Sequence, residues 1–280
     1  VKEAELFVCV SLDDRSGPRS EALVRIASAV ERDWLPAELL REATVLEFDE
    51  ARERLVAHRR TQLDDLVLDD KEVPIPDSGV ASVVLAGIAA TRIDDVLPRE
   101  DSDWDSLIAR LRFLHHVCPD LDLPAPTEST FTELLSALSG RAKSFEELRR
   151  APWREALLGL LSRAQRSALD REAPERLPVP SGNTIRLDYS DPAQPVLAAR
   201  IQELFGLSET PRLARGRVPV LLHLLAPNGR PQQVTADLTS FWKTTYAEVR
   251  KELAARYPRH AWPVDPTSAP AERRPRTRSH

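Results

Sequence analysis

The sequence predicts an α+β multidomain chain, and three observations carry that expectation. From Glu5 to about Ile75, apolar and polar side chains alternate in the manner of strands. From Val80 to Leu169, apolar residues recur three and four positions apart, the spacing of helices buried along one face. Beyond Ala173, short strand-like runs and one helix are mixed, and Pro-rich segments separate the three regions. With 280 residues and 42% hydrophobic content, the chain can bury the cores of two or three units.

The first region begins with dense apolar runs at Leu6 to Val10 and Leu23 to Val30. Ala43 to Asp49 and Arg54 to Asp69 flank a charged turn, and Trp34 to Leu40 reads as a short helix between strands. These make a small β-unit over residues 1–76. Val73-Pro-Ile-Pro-Asp-Ser-Gly79 follows as a linker, because each proline removes an N–H and fixes φ. Helices are then expected over Val80 to Val96, Ser102 to Val117, Thr127 to Leu138 and Ser144 to Leu169, within residues 77–175. Asp103, Thr127 and Ser144 are the expected N-caps, and Ser144-Phe-Glu-Glu147 has the spacing of a capping box. Helices of this length bury their apolar stripes as a four- or five-helix bundle.

Ala173 to Pro180 reads as a second linker. In residues 176–266, short elements are expected at Asn183 to Tyr189 and Val196 to Leu204. A hairpin of Val218 to Leu225 with Gln232 to Ala236 turns at Asn228-Gly229, where positive φ is tolerated. Lys243 to Tyr257 forms a helix, and residues 267–280, Pro-rich and basic, are expected to be disordered.

Composition narrows the function classes. No apolar run approaches the roughly 20 residues that span a bilayer, and no basic-then-apolar leader opens the sequence, so a cytoplasmic protein without membrane contact is expected. The chain contains no Met and opens Val-Lys-Glu-Ala, which points to a piece of something longer. Cys9 and Cys118 show no disulfide framework or Cys-x-x-Cys spacing and are expected to be reduced and buried. Adjacent His115 and His116 point about 100° apart on a helix and make no metal set. His223, inside Leu221-Leu-His-Leu-Leu225, reads as a core or edge histidine.

Nucleotide chemistry would require a G-x-x-x-x-G-K-[ST] loop to cradle phosphates. None of the nine glycines precedes a lysine, and an Asp-Glu-x-His segment is absent as well. Neither a nucleophile elbow nor a Ser/His/Asp order stands out. Charge is the more telling signal: residues 176–280 hold 16 Lys and Arg against 9 Asp and Glu, a net of +7, which leaves −12 for the rest of a chain of net −5. A basic end beside an acidic body suits contact with a polyanion. An acidic helical surface that docks a protein beside an incidental basic tail accounts for the same asymmetry.

Several segments carry a family resemblance. Ser240-Phe-Trp-Lys-Thr-Thr-Tyr continues to Arg259-His-Ala-Trp-Pro-Val-Asp-Pro266, and with it stand Pro180-Ser-Gly182, Gln202-Glu-Leu-Phe-Gly-Leu-Ser-Glu-Thr-Pro211 and Val218 to Pro231. Together they resemble the C-terminal part of bacterial HrpB-type DEAH-box ATP-dependent helicases. Upstream the resemblance rests on Phe48-Asp-Glu-Ala-Arg52 and Leu66-Val-Leu68. It departs at Ala261, where proline is expected, and at Val264, where an acidic residue is expected. The resemblance implies a partial oligonucleotide-binding (OB) barrel over residues 1–76 and motor domains in cis that supply ATP and Mg chemistry. It further implies RNA or single-stranded nucleic acid as partner.

Candidate contacts follow from charge and helix position. On a helix from Phe241 to Tyr257, the residues Trp242, Tyr246, Val249, Leu253 and Tyr257 share one stripe, the expected core face. Glu252 with Arg256 and Glu248 with Lys251 are spaced to pair, which leaves Lys243 and Arg250 for phosphates. Arg259, His260 and Trp262 lie just beyond, on a Pro-stiffened exit. Arg212, Arg215, Arg217 and Arg230 form a second cluster on a Gly-containing loop and a hairpin tip, where guanidinium forks could span phosphate oxygens. Each could equally be a solvated surface charge.

Overall fold

The computed structural model describes residues 4–13, 23–76 and 79–273, and the chain divides into two compact units, residues 1–85 and 86–280. In the smaller unit, β1 (Leu6–Asp13) and β2 (Leu23–Val30) form an antiparallel ribbon. Two 3-10 turns, Arg32–Trp34 and Ala37–Leu39, stand where one short helix is expected, because Pro36 interrupts it. β3 (Leu40–Asp49), β4 (Arg54–Leu63) and β5 (Leu66–Val73) make a three-stranded antiparallel meander. Its first hairpin tightens around Asp49, whose carboxylate accepts the N–H groups of Ala51 and Arg52. The described strands pair as two separate sheets, with no closed barrel among them. The linker after β5 runs into α1 (Gly79–Ala90), with Asp77 and Ser78 outside the described residues.

The larger unit opens with α2 (Ile93–Val96) and α3 (Ser102–Val117). Asp101 rather than Asp103 caps α3, its carboxylate accepting from Asp103 and Trp104 N–H. Thr127 caps α4 (Glu128–Leu138) as expected. The expected helix from Ser144 to Leu169 is three: α5 (Phe145–Arg149), α6 (Trp153–Leu160) and α7 (Arg163–Glu172). Pro152 ends the first by excluding helical geometry from the residue before it. Ser162 restarts the chain with a full capping box to Gln165. At Ser144 only half of the expected box forms: its hydroxyl accepts from Glu147 N–H, but the Glu147 carboxylate takes Lys143 N–H instead. Trp104 packs against Phe131 at 5.6 Å and Trp153 at 6.3 Å between ring centroids, which fixes α3 against α4 and α6.

A five-stranded sheet of order β12-β11-β8-β7-β6 completes the unit. Its strands are β6 (Arg176–Pro178), β7 (Thr184–Asp188), β8 (Val196–Arg200), β11 (Leu221–Leu225) and β12 (Pro231–Thr235). β8 and β11 run parallel and the other pairs antiparallel. A small ribbon of β9 (Arg212–Leu213) and β10 (Val218–Pro219) sits beside it. The expected hairpin turns at Asn228-Gly229, with Gly229 at φ +83°.

The expected boundary near residue 175 is not a free linker. Arg110, 6% exposed, donates from Nε to the Ala173 carbonyl at 2.6 Å and from its fork to Leu169 O and Asp170. Tyr189 donates its hydroxyl to Pro174 O, and its ring lies 5.2 Å from Phe113 of α3. Helices and sheet therefore share one core, and the segment read as a spacer supplies edge strand β6. Cys118 is buried as expected, whereas Cys9 is half-exposed, and both are free thiols. No helix among the described residues is long and apolar enough to cross a membrane.

Candidate nucleic-acid interface

All nine sequence-predicted contacts lie in the second half of the larger unit, on three supports. The first is the β9–β10 turn. Ala214, Arg215 and Gly216 take φ of +53°, +57° and +79°, a left-handed run that two of the three residues adopt only under constraint. The constraint is visible. Arg212 closes the loop on itself, Nε donating to Gly216 O at 2.7 Å, and the Arg215 N–H donates to the Glu172 carboxylate at 2.6 Å. Burial pushes the Glu172 carboxyl up, but hydrogen bonds from Arg171 and from that N–H outweigh it and hold it below the usual range.

Asp120, just after α3, receives both remaining guanidinium groups: Arg215, and Arg217 at 2.9 Å. Arg217 donates further to Val117 O at 2.8 Å and to the Cys118 thiol at 3.2 Å. Its hydrogen bond to Asp120 holds that carboxyl below the ordinary range. Arg212, Arg215 and Arg217, all three exposed, thus fasten the loop that the sequence suggests is flexible.

The second support is the hairpin tip. Arg230 is exposed there, and its side chain meets no acceptor among the described residues.

The third is the C-terminal helix, which runs α8 (Leu238–Ser240), a π turn (Phe241–Thr245) and α9 (Tyr246–Arg256). In the π turn, Tyr246 N–H reaches back five residues to Phe241 O. The widened turn brings Phe241, Trp242 and Tyr246 onto one side, where all three are buried. Trp242 lies 5.0 Å from Phe241, 5.1 Å from Tyr246 and 6.2 Å from Phe205, and its indole N–H donates to Leu207 O at 2.8 Å. The aromatic stripe is core, as its spacing predicts. Burial pushes the Tyr246 hydroxyl up to about 12 as it donates to Pro263 O.

The exit folds back on this helix. Arg250, expected to be unpaired, donates from Nε to Trp262 O at 2.9 Å, and the half-buried Trp262 indole donates to Tyr257 O at 3.0 Å. Trp262 therefore pins the exit rather than standing at the surface. His260 is half-buried beside the Tyr257 ring, and burial lowers its pKa. Neither Glu248–Lys251 nor Glu252–Arg256 is within ion-pair reach, so Lys251 and Arg256 stay solvated as well.

Of the nine, Arg230, Lys243 and Arg259 are exposed with no internal acceptor among the described residues. Exposed Arg200, at the end of β8, is an equivalent charge that sequence reasoning missed, because a lone arginine closing a strand carries no local signal. No group of His, Cys, Asp and Glu among the described residues could hold a metal.

Residues 134–266 match a family model described as "ATP-dependent helicase C-terminal", named for HrpB. The chain is 34% identical over 268 residues to the ATP-dependent RNA helicase HrpB of Escherichia coli K12, covering 91% of this chain and 32% of that protein. Among solved structures, it is similar to the E. coli DExH-box NTPase HrpB, with a TM-score of 0.69 and 32% identity over 96% of this chain and 34% of that one. A second crystal structure, of the E. coli DEAH/RHA helicase HrpB, gives a TM-score of 0.60 and 30% identity over 91% of this chain and 32% of that one. The chain spans about a third of the length of each relative.

Proposed function

We propose that this chain, which is similar to the C-terminal regions of HrpB-type helicases, is a non-catalytic, nucleic-acid-associated region serving an ATP-dependent motor in cis. The relatives are named as an RNA helicase and an NTPase, so single-stranded RNA is the expected partner and the cytoplasm the expected place. ATP and Mg chemistry falls to the motor. The β-unit of residues 1–76 is the proposed partial OB-like element.

The observation that carries this reading is the division among the basic side chains. Those of the β9–β10 turn are spent on Asp120 and on their own loop, while Arg230, Lys243, Arg259 and Arg200 project into solvent from the hairpin tip, the helix, its exit and a strand end. Unpaired exposed cations cost nothing to desolvate from a partner carboxylate, so their gain on meeting a phosphate is undiminished. Such contacts bind weakly and through counterion release.

A filter-binding series with a single-stranded RNA tests this. Affinity should fall as salt rises from about 50 to 200 mM, and a chain with Arg230→Glu, Lys243→Glu and Arg259→Glu should lose about three in the log–log salt slope. Binding independent of salt, or a triple variant that binds as the parent does, refutes the assignment.

A further inference from the structure

Buried polar groups almost always find partners, so one that does not asks for a reason. Gln202 lies in the 3-10 turn Ile201–Leu204 and is 2% exposed, yet neither its amide nitrogen nor its amide oxygen has a hydrogen-bond partner among the described residues. An amide held dry in this way is destabilising relative to an apolar side chain of the same shape. Sequence position adds to the puzzle: Arg200 precedes it as an exposed cation, and half-buried His260 sits within electrostatic reach of Arg200.

The segment that lies against Gln202 is residues 265–273. Asp265 starts it with a tight turn, accepting from Thr267 N–H at 2.9 Å and from the Thr267 and Ser268 hydroxyls at 2.7 Å. Buried Pro266 accepts from Gly206 N–H at 2.9 Å, and Glu272 N–H donates to the Gln202 carbonyl at 3.0 Å. Gly206 sits at φ +85°, a backbone conformation that favours glycine, and a Cβ there would lie 3.4 Å from Ala269 O, in ordinary contact with the strap. Residues 267–273, expected from composition to be disordered, are thus laid along Gln202 and Gly206, and 274–280 lie outside the described residues.

We propose that Asp265–Arg273 is a displaceable strap in cis, and that the Gln202 amide beneath it is a nucleobase-reading group the strap keeps masked. This rests on the nucleic-acid reading above and names the part of that surface that sees bases. A glutamine amide presents one donor and one acceptor in a plane, which matches the edge of a base and in particular an adenine. Arg200, two residues before Gln202, and Arg259, next to His260, are exposed cations that would supply phosphate contacts. The strap meets the site through backbone hydrogen bonds and leaves the amide unsatisfied, so a base that satisfies it competes on favourable terms.

The test compares the full chain, a chain ending at Val264 and the full chain carrying Asp265→Ala, each with and without Gln202→Leu. The probes are labelled oligo(A) and an abasic oligonucleotide of equal length at one salt concentration. Truncation removes Arg273, Arg274, Arg276 and Arg278, so electrostatics alone predicts weaker binding. The strap predicts the opposite sign, about tenfold tighter binding of oligo(A), with no gain on the abasic strand and none in Gln202→Leu. Asp265→Ala, which keeps those arginines, should show a smaller gain of the same pattern and covers the case in which the truncated chain fails to fold. An equal gain on the abasic strand, a gain that survives Gln202→Leu, or no gain in either strap variant overturns the proposal. Salt-dependent binding without a strap effect leaves the nucleic-acid reading standing, and loss of all salt-dependent binding removes that reading too.

Discussion

Trp242→Ala separates an aromatic anchor from an aromatic contact. The indole is 7% exposed, lies within 5.0 to 6.2 Å of three other rings between centroids, and donates to Leu207 O. Truncating a buried tryptophan costs ~3–5 kcal/mol, and the stranded Leu207 carbonyl adds ~1 kcal/mol or more. A loss of roughly 4–6 kcal/mol lowers Tm by about 8–24 °C in a unit of this size, at ~2–4 °C per kcal/mol. Calorimetry reads this directly. Trp242→Phe keeps a ring and loses the donor, so a smaller shift, about 2–8 °C, is expected. If Trp242→Ala melts with the parent and yet loses RNA affinity, the ring stacks on bases and the buried-core account of this helix is wrong.

Three further outcomes are expected. The isolated chain should hydrolyse no ATP above background with or without RNA, since no glycine precedes a lysine in a phosphate loop; turnover that persists through further purification would contradict this. Arg110→Met keeps the aliphatic stem but strands the Ala173 and Leu169 carbonyls, so about 2–4 kcal/mol should be lost in urea unfolding, and an unchanged midpoint would show that the clamp is idle. Hydrogen bonds from Ser268 and Thr267 lower the Asp265 carboxyl from an ordinary 3.8 to about 2, so its contribution is complete above the ordinary value and lost as pH falls through about 2. The Tm difference between the parent and Asp265→Ala should therefore be constant from pH 7 to about 5 and shrink towards pH 2; a difference that grows on acidification reverses the sign.

Local signals in this sequence translate into structure where the cause is local. Thr127 caps α4, Asn228-Gly229 turns the hairpin, and the stripe through Trp242, Tyr246 and Leu253 is buried. Signals that depend on one atom among equivalents shift by a residue or two, as in the cap at Asp101 instead of Asp103. Partners far apart in sequence left no trace to read: Asp120 takes Arg215 and Arg217 across more than ninety residues, and Arg110 reaches Ala173 across sixty-three. For that reason the arginine cluster looked available from composition and turned out fastened, as did Arg250, which bonds Trp262 O, while Arg230 at the hairpin tip and Lys243 on the helix are exposed as expected. The spacer near residue 175 failed for the same cause, since its prolines do punctuate the chain but a buried guanidinium holds it in place.

The π turn at Phe241–Thr245 makes the helix one residue richer than its α-helical flanks require. Seen as a reading frame, α8 and α9 are in phase with each other only after one residue has been skipped. Shortening the chain by a single residue within Lys243–Thr245 heals the turn to ordinary pitch and leaves Leu253 on its inward bearing, whereas adding one within α9 swings everything after it by about 100°. Length variation along this helix is therefore lopsided: the bulge can absorb a loss, and the turns beyond it have no slack for a gain.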